Sequence, residues 1–354
     1  MTGLVFADKP KGAGTFSLTR AVRKIVGLKT GHVGTLDPNA TGLVGILVGS
    51  AVKLLPLVVG MEKVYSGTMR LGLVTDTLDV TGETLSEHGG PFPELPAVRE
   101  ALEAFLGTRP QRPPAFSAVK VGGRPSYRDA RAGRAADPLP ERPAFMRSCE
   151  ILGWAPPLLN FRIGVGCGFY VRSLANDLGA ALGLGGGALQ ELRRESLGPF
   201  GLDLALEPPF SLQDISRALL GFRHAVPDVP EYRATPEESA ALGRGGALNG
   251  GTLSPERIFR LPGQPDWPAP RGGYPAGTVV VTCGGRPVAI GEYSGPGGPP
   301  APRGAGPDGN GGPDSYPSRP RGPFLRPLRV LQPPAGQPGG HQPAPRRAQT
   351  GRET

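Results

Sequence analysis

Cysteine and histidine are scarce in this chain, and their spacing does not match that of protein metal sites. The 354 residues include three cysteines, at positions 149, 167 and 283, and four histidines, at positions 32, 88, 224 and 341. None of them has the spacing of zinc ligands. Three scattered cysteines also suit a reducing compartment. We therefore expect no metal site.

Long apolar runs are absent as well. No apolar stretch approaches the length that is needed to cross a membrane. The N-terminus has no charged region followed by a cleavable apolar segment. We therefore expect a cytoplasmic protein.

Acidic residues are fewer than basic ones, but the excess is unevenly distributed. Lys and Arg number 39 against 30 Asp and Glu, so the formal net charge is +9. Residues 295–354 hold eight arginines and three acidic residues, which leaves only +4 for residues 1–294. Net charge alone is therefore weak evidence for a polyanionic partner, and local basic clusters are better evidence.

Glycine and proline are abundant, with 56 and 43 residues, and they mark the segments that cannot build a core. Residues 295–323 are so rich in both that we predict a disordered insertion. Residues 334–354 are predicted to be a disordered tail.

The segment Gly31–Gly42 is the most informative part of the chain. It places Asp37 in a glycine-punctuated loop beside His32, and Pro38 fixes the backbone directly after the acid. The apolar run that follows indicates a buried element that supports the loop. A lone carboxylate held in this way suggests an acid that acts on a bound substrate. From local residues alone, Asp37 could equally be a turn residue that caps a following helix.

Four further motifs accompany this loop in a fixed order. They are Asp8–Gly12, Arg70–Gly82, Pro113–Lys120 and Gly168–Leu174. With the Asp37 loop, they resemble in order and spacing the TruB family of tRNA pseudouridine synthases of the bacterial type. The resemblance covers about residues 3–215.

The resemblance implies a reaction and its catalytic residues. Asp37 is similar to the essential aspartate, which attacks or deprotonates the ribose of a target uridine so that the base detaches, rotates and reattaches through carbon. Reactant and product are isomers, so the family needs no cofactor and no metal. Arg172 is similar to the arginine that pairs with this aspartate, and Tyr65 to the tyrosine that stacks on the base. Without the resemblance, Arg172 would be a surface charge and Tyr65 a buried strand residue.

Three more residues are expected to contact the substrate. The resemblance places Tyr170 in the substrate pocket and Leu192 on the other side of the base, where local pattern alone indicates a core leucine. His32 is expected to contact RNA rather than to transfer a proton. An imidazole that fills the space left by an extruded base would recover part of the few kcal/mol that extrusion costs. The alternative is a histidine that is satisfied within its loop.

Binding to RNA is expected to depend on basic residues near these motifs. The candidates for contact with the RNA backbone are Lys9, Lys120, Arg124 and Arg131. A second cluster lies on and after the first predicted helix, at Arg20, Arg23, Lys24 and Lys29. Ordinary solvated helix faces are the alternative for both groups.

The fold predicted from these patterns is a mixed α+β catalytic domain followed by a small β-rich domain. We predict a central mixed, largely antiparallel sheet flanked by helices over residues 1–215. Its first helix is capped by Ser17, and a later one spans Val171 to Leu182. A PUA-like RNA-binding domain is predicted over residues 228–333, with strands near 277–283 and 287–293 and a last strand at Phe324–Leu331.

The expected function is cofactor-free isomerisation of uridine to pseudouridine at position 55 in the tRNA T-loop, by a stand-alone monomer. The alternatives are a non-catalytic tRNA-folding chaperone of the same fold and a guide-dependent synthase. Asn39 and Cys167 depart from the residues usual in the family, which puts rate and substrate preference in doubt more than reaction type.

Overall fold

The computed structural model describes most of the chain. The described residues are 1–117, 120–121, 124–125, 139–221, 225–226, 229–249, 258–259, 277–294 and 324–330. They form two compact units, Met1–Ala225 and Val226–Thr354. The domains predicted at 1–215 and 228–333 bracket this division. The predicted disordered insertion at 295–323 and tail at 334–354 lie outside the described residues.

The first unit is built on one large mixed sheet. Its main path contains eight strands: β1 (Gly3–Lys9), β3 (Thr41–Val48), β4 (Lys63–Leu71), β7 (Gly107–Gln111), β10 (Arg142–Ala155), β11 (Leu158–Val165), β12 (Gly187–Leu197) and β14 (Ala205–Leu206). Their spatial order is β14-β1-β3-β12-β4-β11-β10-β7. Only the β1–β14 and β3–β12 pairs on this path are parallel. The predicted mixed, largely antiparallel sheet is therefore confirmed.

Short strands complete this unit. β2 (Thr30–Val33) pairs with β3, and β13 (Phe200–Gly201) pairs with β12. Two separate two-stranded pairs are β5 (Leu73–Thr75) with β6 (Thr84–Glu87), and β8 (Lys120–Val121) with β9 (Arg124–Pro125). Short 3₁₀ turns span Gly49–Leu54 and Leu202–Leu204.

Helices pack against the sheet through apolar stripes. They are α1 (Thr15–Val26), α2 (Leu55–Val59), α3 (Leu95–Glu103), α4 (Val171–Ala181) and α5 (Leu212–Ala218). Helix α1 buries Thr15, Leu18, Thr19 and Val22, whose spacing of three and four residues makes one face. The predicted cap at Ser17 is wrong, because the helix begins two residues earlier with Gly14 as its N-cap. Ser17 instead donates its hydroxyl hydrogen to the Gly14 carbonyl, at 2.6 Å.

The centre of the sheet lies in the core of the unit. In β3, every residue from Gly42 to Val48 is buried, as expected for a strand that is covered on both faces. Leu174 and Leu178 of α4 and Val22 of α1 belong to the same apolar core. The loop that precedes β3 therefore starts from a rigid support.

The second unit is β-rich, as predicted. Its sheet has the order β16 (Leu248–Asn249), β20 (Phe324–Val330), β19 (Arg286–Ser294), β18 (Thr278–Cys283), β15 (Glu231–Arg233) and β17 (Ile258–Phe259). Helix α6 (Pro236–Gly243) contributes Leu242 to its core. Gly284 and Gly285 both have positive φ, which is what a two-residue hairpin turn between β18 and β19 requires. The PUA-like relationship stays a prediction.

Candidate active site

The Asp37 loop connects β2 to β3 and is held by bonds from the N-terminal segment. The Thr15 hydroxyl donates to the Leu36 carbonyl at 2.8 Å and accepts from the Leu36 amide at 3.0 Å. The amide of Gly12 donates to the Pro38 carbonyl, at 2.8 Å. No helix follows Asp37, since the next element is β3. The helix-cap alternative for Asp37 is therefore excluded, and the loop is fixed immediately before and after the carboxylate.

Lys9 also holds this loop, so its predicted contact with the RNA backbone is wrong. Its side chain is completely buried. The ammonium donates to the carbonyls of Pro10, Ala13 and Pro38, at 3.1, 2.6 and 2.9 Å. Burial lowers the pKa of Lys9 to about 8, and the negative charge of Asp37 acts in the opposite direction. The three N–H donors of the Lys9 ammonium all bind carbonyls, so none remains for a phosphate.

Asp37 and Arg172 form an ion pair at the mouth of a cavity. The distance from Arg172 Nε to Asp37 Oδ2 is 2.9 Å. The Arg172 side chain is 8% exposed and that of Asp37 is 47% exposed. The guanidinium is thus fixed within the protein, while the carboxylate remains open to a substrate.

The other guanidinium nitrogens bind two distant loops. Nη1 of Arg172 donates to the Thr77 carbonyl at 2.8 Å, and Nη2 donates to the Phe116 carbonyl at 2.9 Å. Thr77 and Phe116 belong to the motifs Arg70–Gly82 and Pro113–Lys120. Arg172, from the motif Gly168–Leu174, therefore contacts both of these motifs. The same side chain orients the carboxylate of Asp37, which belongs to a fourth motif.

The cavity beside this pair has a volume of about 280 Å³. Tyr65 of β4 and Leu192 of β12 line it together with Asp37, Tyr170 and Arg172. Tyr65 is 7% exposed, so its ring is available only from inside the cavity. The predicted site residues Asp37, Arg172, Tyr65, Tyr170 and Leu192 are therefore brought together, and their roles remain proposals.

Two glycines permit the close strand contacts that shape this cavity. A Cβ at Gly42 would lie 2.3 Å from the Arg194 carbonyl oxygen, and the φ of Gly42 is +100°. A Cβ at Gly67 would lie 2.1 Å from the Glu191 carbonyl oxygen. Because Gly67 of β4 pairs with Leu192 of β12, the second contact fixes the position of Leu192 relative to Tyr65.

Tyr170 is the N-cap residue of α4, and its backbone is clamped by one amide side chain. Gln111 Oε1 accepts from the Tyr170 amide at 2.8 Å, and Gln111 Nε2 donates to the Tyr170 carbonyl at 3.0 Å. Burial raises the pKa of the Tyr170 phenol, with a hydrogen bond to Ser117 acting in the opposite direction. The Tyr170 side chain is therefore neutral at physiological pH.

His32 lies on β2, outside the residues that line the cavity. Its Nε2 is 3.1 Å from the Thr35 hydroxyl oxygen. Burial lowers the pKa of His32, and the positive charge of Arg194 lowers it further. A neutral imidazole suits contact with bases better than contact with phosphates.

Arg194 is the main residue of this site that the sequence analysis missed. It is completely buried, and it donates to the carbonyls of Leu43 and Gly34, at 2.5 and 3.0 Å. Gly34 is the first residue of the Asp37 loop and Leu43 lies in β3, so a single guanidinium connects the start of the loop to the strand that follows it. Its Nη1 has no hydrogen-bond partner among the described residues. The only sequence signal was an arginine on a strand next to Leu192.

The other RNA-backbone candidates are Lys120, Arg124 and Arg131, and the two departures from the family pattern are Asn39 and Cys167. The backbones of Lys120 and Arg124 lie in the β8–β9 pair, but their side chains and the whole of Arg131 lie outside the described residues. Of the two departures from the family pattern, Cys167 is exposed and lines the cavity. Asn39 Nδ2 donates to the Thr81 hydroxyl oxygen, at 3.3 Å.

Across the described ranges, no group of three or more His, Cys, Asp or Glu side chains could hold a metal ion. Within the same part of the chain, no helix has the length and apolar character to span a membrane.

Known proteins with similar sequences all point to one family. A family model described as TruB family pseudouridylate synthase (N terminal domain) matches residues 21–171. The tRNA pseudouridine synthase B of Xanthomonas oryzae pv. oryzae is 36% identical over 290 residues, which are 73% of this chain and 94% of that protein. The protein of the same name from Synechococcus sp. is 35% identical over 309 residues, 84% of this chain and 95% of the relative.

Two solved structures illustrate the similarity of the fold. A Cbf5-Nop10-Gar1 complex matches with a TM-score of 0.57 and 24% identity, over 82% of this chain and 78% of that one. An H/ACA RNP bound to a substrate RNA that contains 2'-deoxyuridine matches with a TM-score of 0.60 and 21% identity, over 95% and 87%. These likenesses concern the fold alone. The sequence relatives and the family model show that this chain belongs to the TruB family of pseudouridine synthases.

Proposed function

We propose that this protein isomerises uridine to pseudouridine in the T-loop of tRNA, at position 55, as a stand-alone and cofactor-free enzyme. The observation that carries the proposal is the Asp37–Arg172 ion pair at the mouth of a cavity lined by Tyr65 and Leu192. Relatives of 35–36% identity that bear the name tRNA pseudouridine synthase B support tRNA as the substrate.

The substrate must enter the cavity as a single extruded nucleotide. Taking a base out of an RNA loop costs a few kcal/mol, and stacking on an aromatic ring returns about 1–3 kcal/mol. Tyr65 offers such a ring, and Leu192 offers an apolar surface in the same cavity. His32, with a neutral imidazole, would occupy the space that the base leaves in the RNA.

The chemistry requires one bond to break and one to form. The Asp37 carboxylate acts on the ribose, by attack or by deprotonation, and the bond from N1 of the uracil to C1′ breaks. The base rotates between Tyr65 and Leu192, and C5 then bonds to C1′. Attack forms a bond from Asp37 to the ribose that breaks again when C5 bonds to C1′, whereas deprotonation removes a ribose proton that returns at that stage. One proton also leaves C5 and N1 gains one, so the reaction is balanced without a cofactor. Arg172 holds the carboxylate in position throughout.

A purified-component assay tests this proposal. Wild-type protein is incubated with an unmodified tRNA transcript and pseudouridine is mapped by position. We expect modification at the T-loop uridine, no product with Asp37→Ala, and retained tRNA binding by that variant. Comparable turnover by Asp37→Ala would remove the catalytic assignment.

Two other results would redirect the proposal. A wild-type protein that binds the transcript and assists its folding but forms no pseudouridine would be a non-catalytic tRNA chaperone. Product that forms only when a guide RNA is added would indicate a guide-dependent synthase.

A further inference from the structure

The solvent-facing side of α1 carries an aromatic ring and three cations in one row. Phe16, Arg20, Arg23 and Lys24 are exposed and follow the spacing i, i+4, i+7 and i+8, so they share a face opposite the buried one. We call this row the α1 stripe. Phe16 is 62% exposed, and the guanidinium of Arg20 lies over its ring, 5.1 Å from the centroid. An aromatic ring and an arginine are thus presented together to solvent.

The charge of the α1 stripe is not balanced within the protein. Helix α1 contains no acidic residue, and its three cations form no ion pair with a carboxylate of the described residues. Arg20 and Lys24 are one turn apart, where like charges cost a few tenths of a kcal/mol. The helix dipole favours Arg23 and Lys24 in the last turn, but it does not account for Arg20 beside Phe16.

Helix α3 shows what an ordinary solvated face of this unit looks like. Its exposed residues include Arg99, Glu100 and Glu103, and Arg99 and Glu103 are four residues apart, as in a stabilising pair of opposite charges. The two helices therefore differ in charge pattern although both are amphipathic. Of these two helix faces, the α1 stripe is the one with the composition expected of a surface that meets a polyanion.

Helix α1 also begins at the active site. Thr15, its first residue, holds Leu36 directly before Asp37, and Phe16 follows Thr15 in the first turn. From there the helix runs for 12 residues, about 18 Å at 1.5 Å per residue. That length spans several phosphates of an RNA strand.

We propose that the α1 stripe is a docking surface for the substrate RNA. Arg20, Arg23 and Lys24 bind backbone phosphates, and the Phe16 ring stacks on an unpaired base near the nucleotide that enters the cavity. This inference rests on the proposed function, because it takes the substrate to be a structured RNA.

The test measures the affinity of the full-length protein for a tRNA transcript as a function of KCl concentration. Changing Arg20, Arg23 and Lys24 together to Gln should reduce the slope of log Kd against log[KCl] by about 2 to 3, since each phosphate contact contributes about 0.7–0.9. Phe16→Ala should weaken binding by about 5- to 100-fold, the range for loss of one base-aromatic stack. Phe16→Trp should preserve affinity, whereas Phe16→Leu, which is apolar but cannot stack, should not.

Arg99→Gln on α3 is the matched control for Arg20→Gln, because each removes one exposed helical arginine from the same unit. Only Arg20→Gln should change the salt slope. An unchanged slope for the triple variant, or equal changes for Arg20→Gln and Arg99→Gln, would overturn the phosphate contacts. Wild-type affinity for Phe16→Leu would overturn the stack. Pseudouridine yield of the wild type, measured in parallel, reports on the proposed function independently of these affinities.

Discussion

The two sides of the cavity are positioned by different physical means. On the carboxylate side, Lys9 and Arg194 hold the Asp37 loop through bonds to its backbone carbonyls, and Arg172 pairs with the carboxylate itself. On the base side, Tyr65 and Leu192 lie on paired strands, and their positions follow from the β4–β12 register. The carboxylate side therefore depends on a few individual cations, and the base side on many backbone hydrogen bonds. Single substitutions should damage the carboxylate side more.

Among the variants that test this comparison, the largest effect is expected for Arg172→Gln, which removes the charge beside Asp37. Loss of this pair leaves the carboxylate poorly oriented, so kcat should fall by about 10²–10³ while KM changes little. Single-turnover kinetics with tRNA would measure this. Arg162→Gln, which breaks a solvent-accessible ion pair between Arg162 of β11 and Glu195 of β12, is the control and should act like wild type. A loss confined to KM would contradict the orienting role.

Arg194→Met tests the connection that Arg194 makes between the start of the Asp37 loop and β3. A displacement of Asp37 by about 1 Å is enough to cost roughly 10²-fold in kcat. Arg193→Met is the control on the same strand, because Arg193 forms an ion pair with Asp8 at 2.6 Å and reaches the Thr41 hydroxyl only at 3.5 Å, without binding the carbonyls that Arg194 binds. Both variants should lower the melting temperature, but only Arg194→Met should lower kcat of the folded protein. Equal kcat values would show that Arg194 supports the fold alone.

Tyr65→Phe tests the base side of the cavity, where the tyrosine ring and its hydroxyl can be separated. The ring keeps its stacking surface and loses only the hydroxyl, so the rate of the chemical step should fall by about tenfold, the value of one hydrogen bond to a reacting group. Affinity for tRNA should stay near that of wild type. Tyr65→Leu, in contrast, should weaken binding as well. An unchanged single-turnover rate for Tyr65→Phe would mean that the hydroxyl takes no part in the reaction.

The smallest effect is expected from the titration of Lys9. Because burial lowers its pKa from 10.5 to about 8, Lys9 should lose its proton between pH 7 and 9. A neutral amine has two N–H groups for three carbonyls, so the hold on Pro38 weakens and kcat should fall a few-fold over this range.

The stability of the fold should change in the opposite direction. Between pH 8 and 10.5 the unfolded chain binds more protons at Lys9 than the folded chain does, so this residue makes the free energy of unfolding rise with pH. Below pH 8 the ammonium is present in both states and its contribution is constant. Lys9→Met should remove both trends, which pH-rate profiles and chemical denaturation would measure. Parallel changes in wild type and Lys9→Met would assign the titration to another group.

Sequence reasoning was most successful where motifs are local. The Asp37 loop, the strand with Tyr65 and the start of α4 at Val171 are each encoded within about a dozen residues, and the structure places Asp37, Arg172, Tyr65 and Leu192 at one cavity. It failed for Lys9 and Arg194. A basic residue is by default exposed, and burial of these two depends on carbonyls supplied by residues 38, 34 and 43. These carbonyl partners are brought close by tertiary contacts, so the sequence around Lys9 and Arg194 does not indicate that either residue is buried.

The hydrogen bonds from Arg194 to the Leu43 and Gly34 carbonyls can form only late in synthesis of the chain. These bonds join residues separated by 151 and 160 positions, so the Asp37 loop emerges from the ribosome long before its support does. At about 5–20 residues per second, the nascent chain waits roughly 10–30 s for strand β12. Prematurely terminated chains that end before β12 therefore contain Asp37 but lack the arginine that positions its loop. Such chains should not modify cellular RNA.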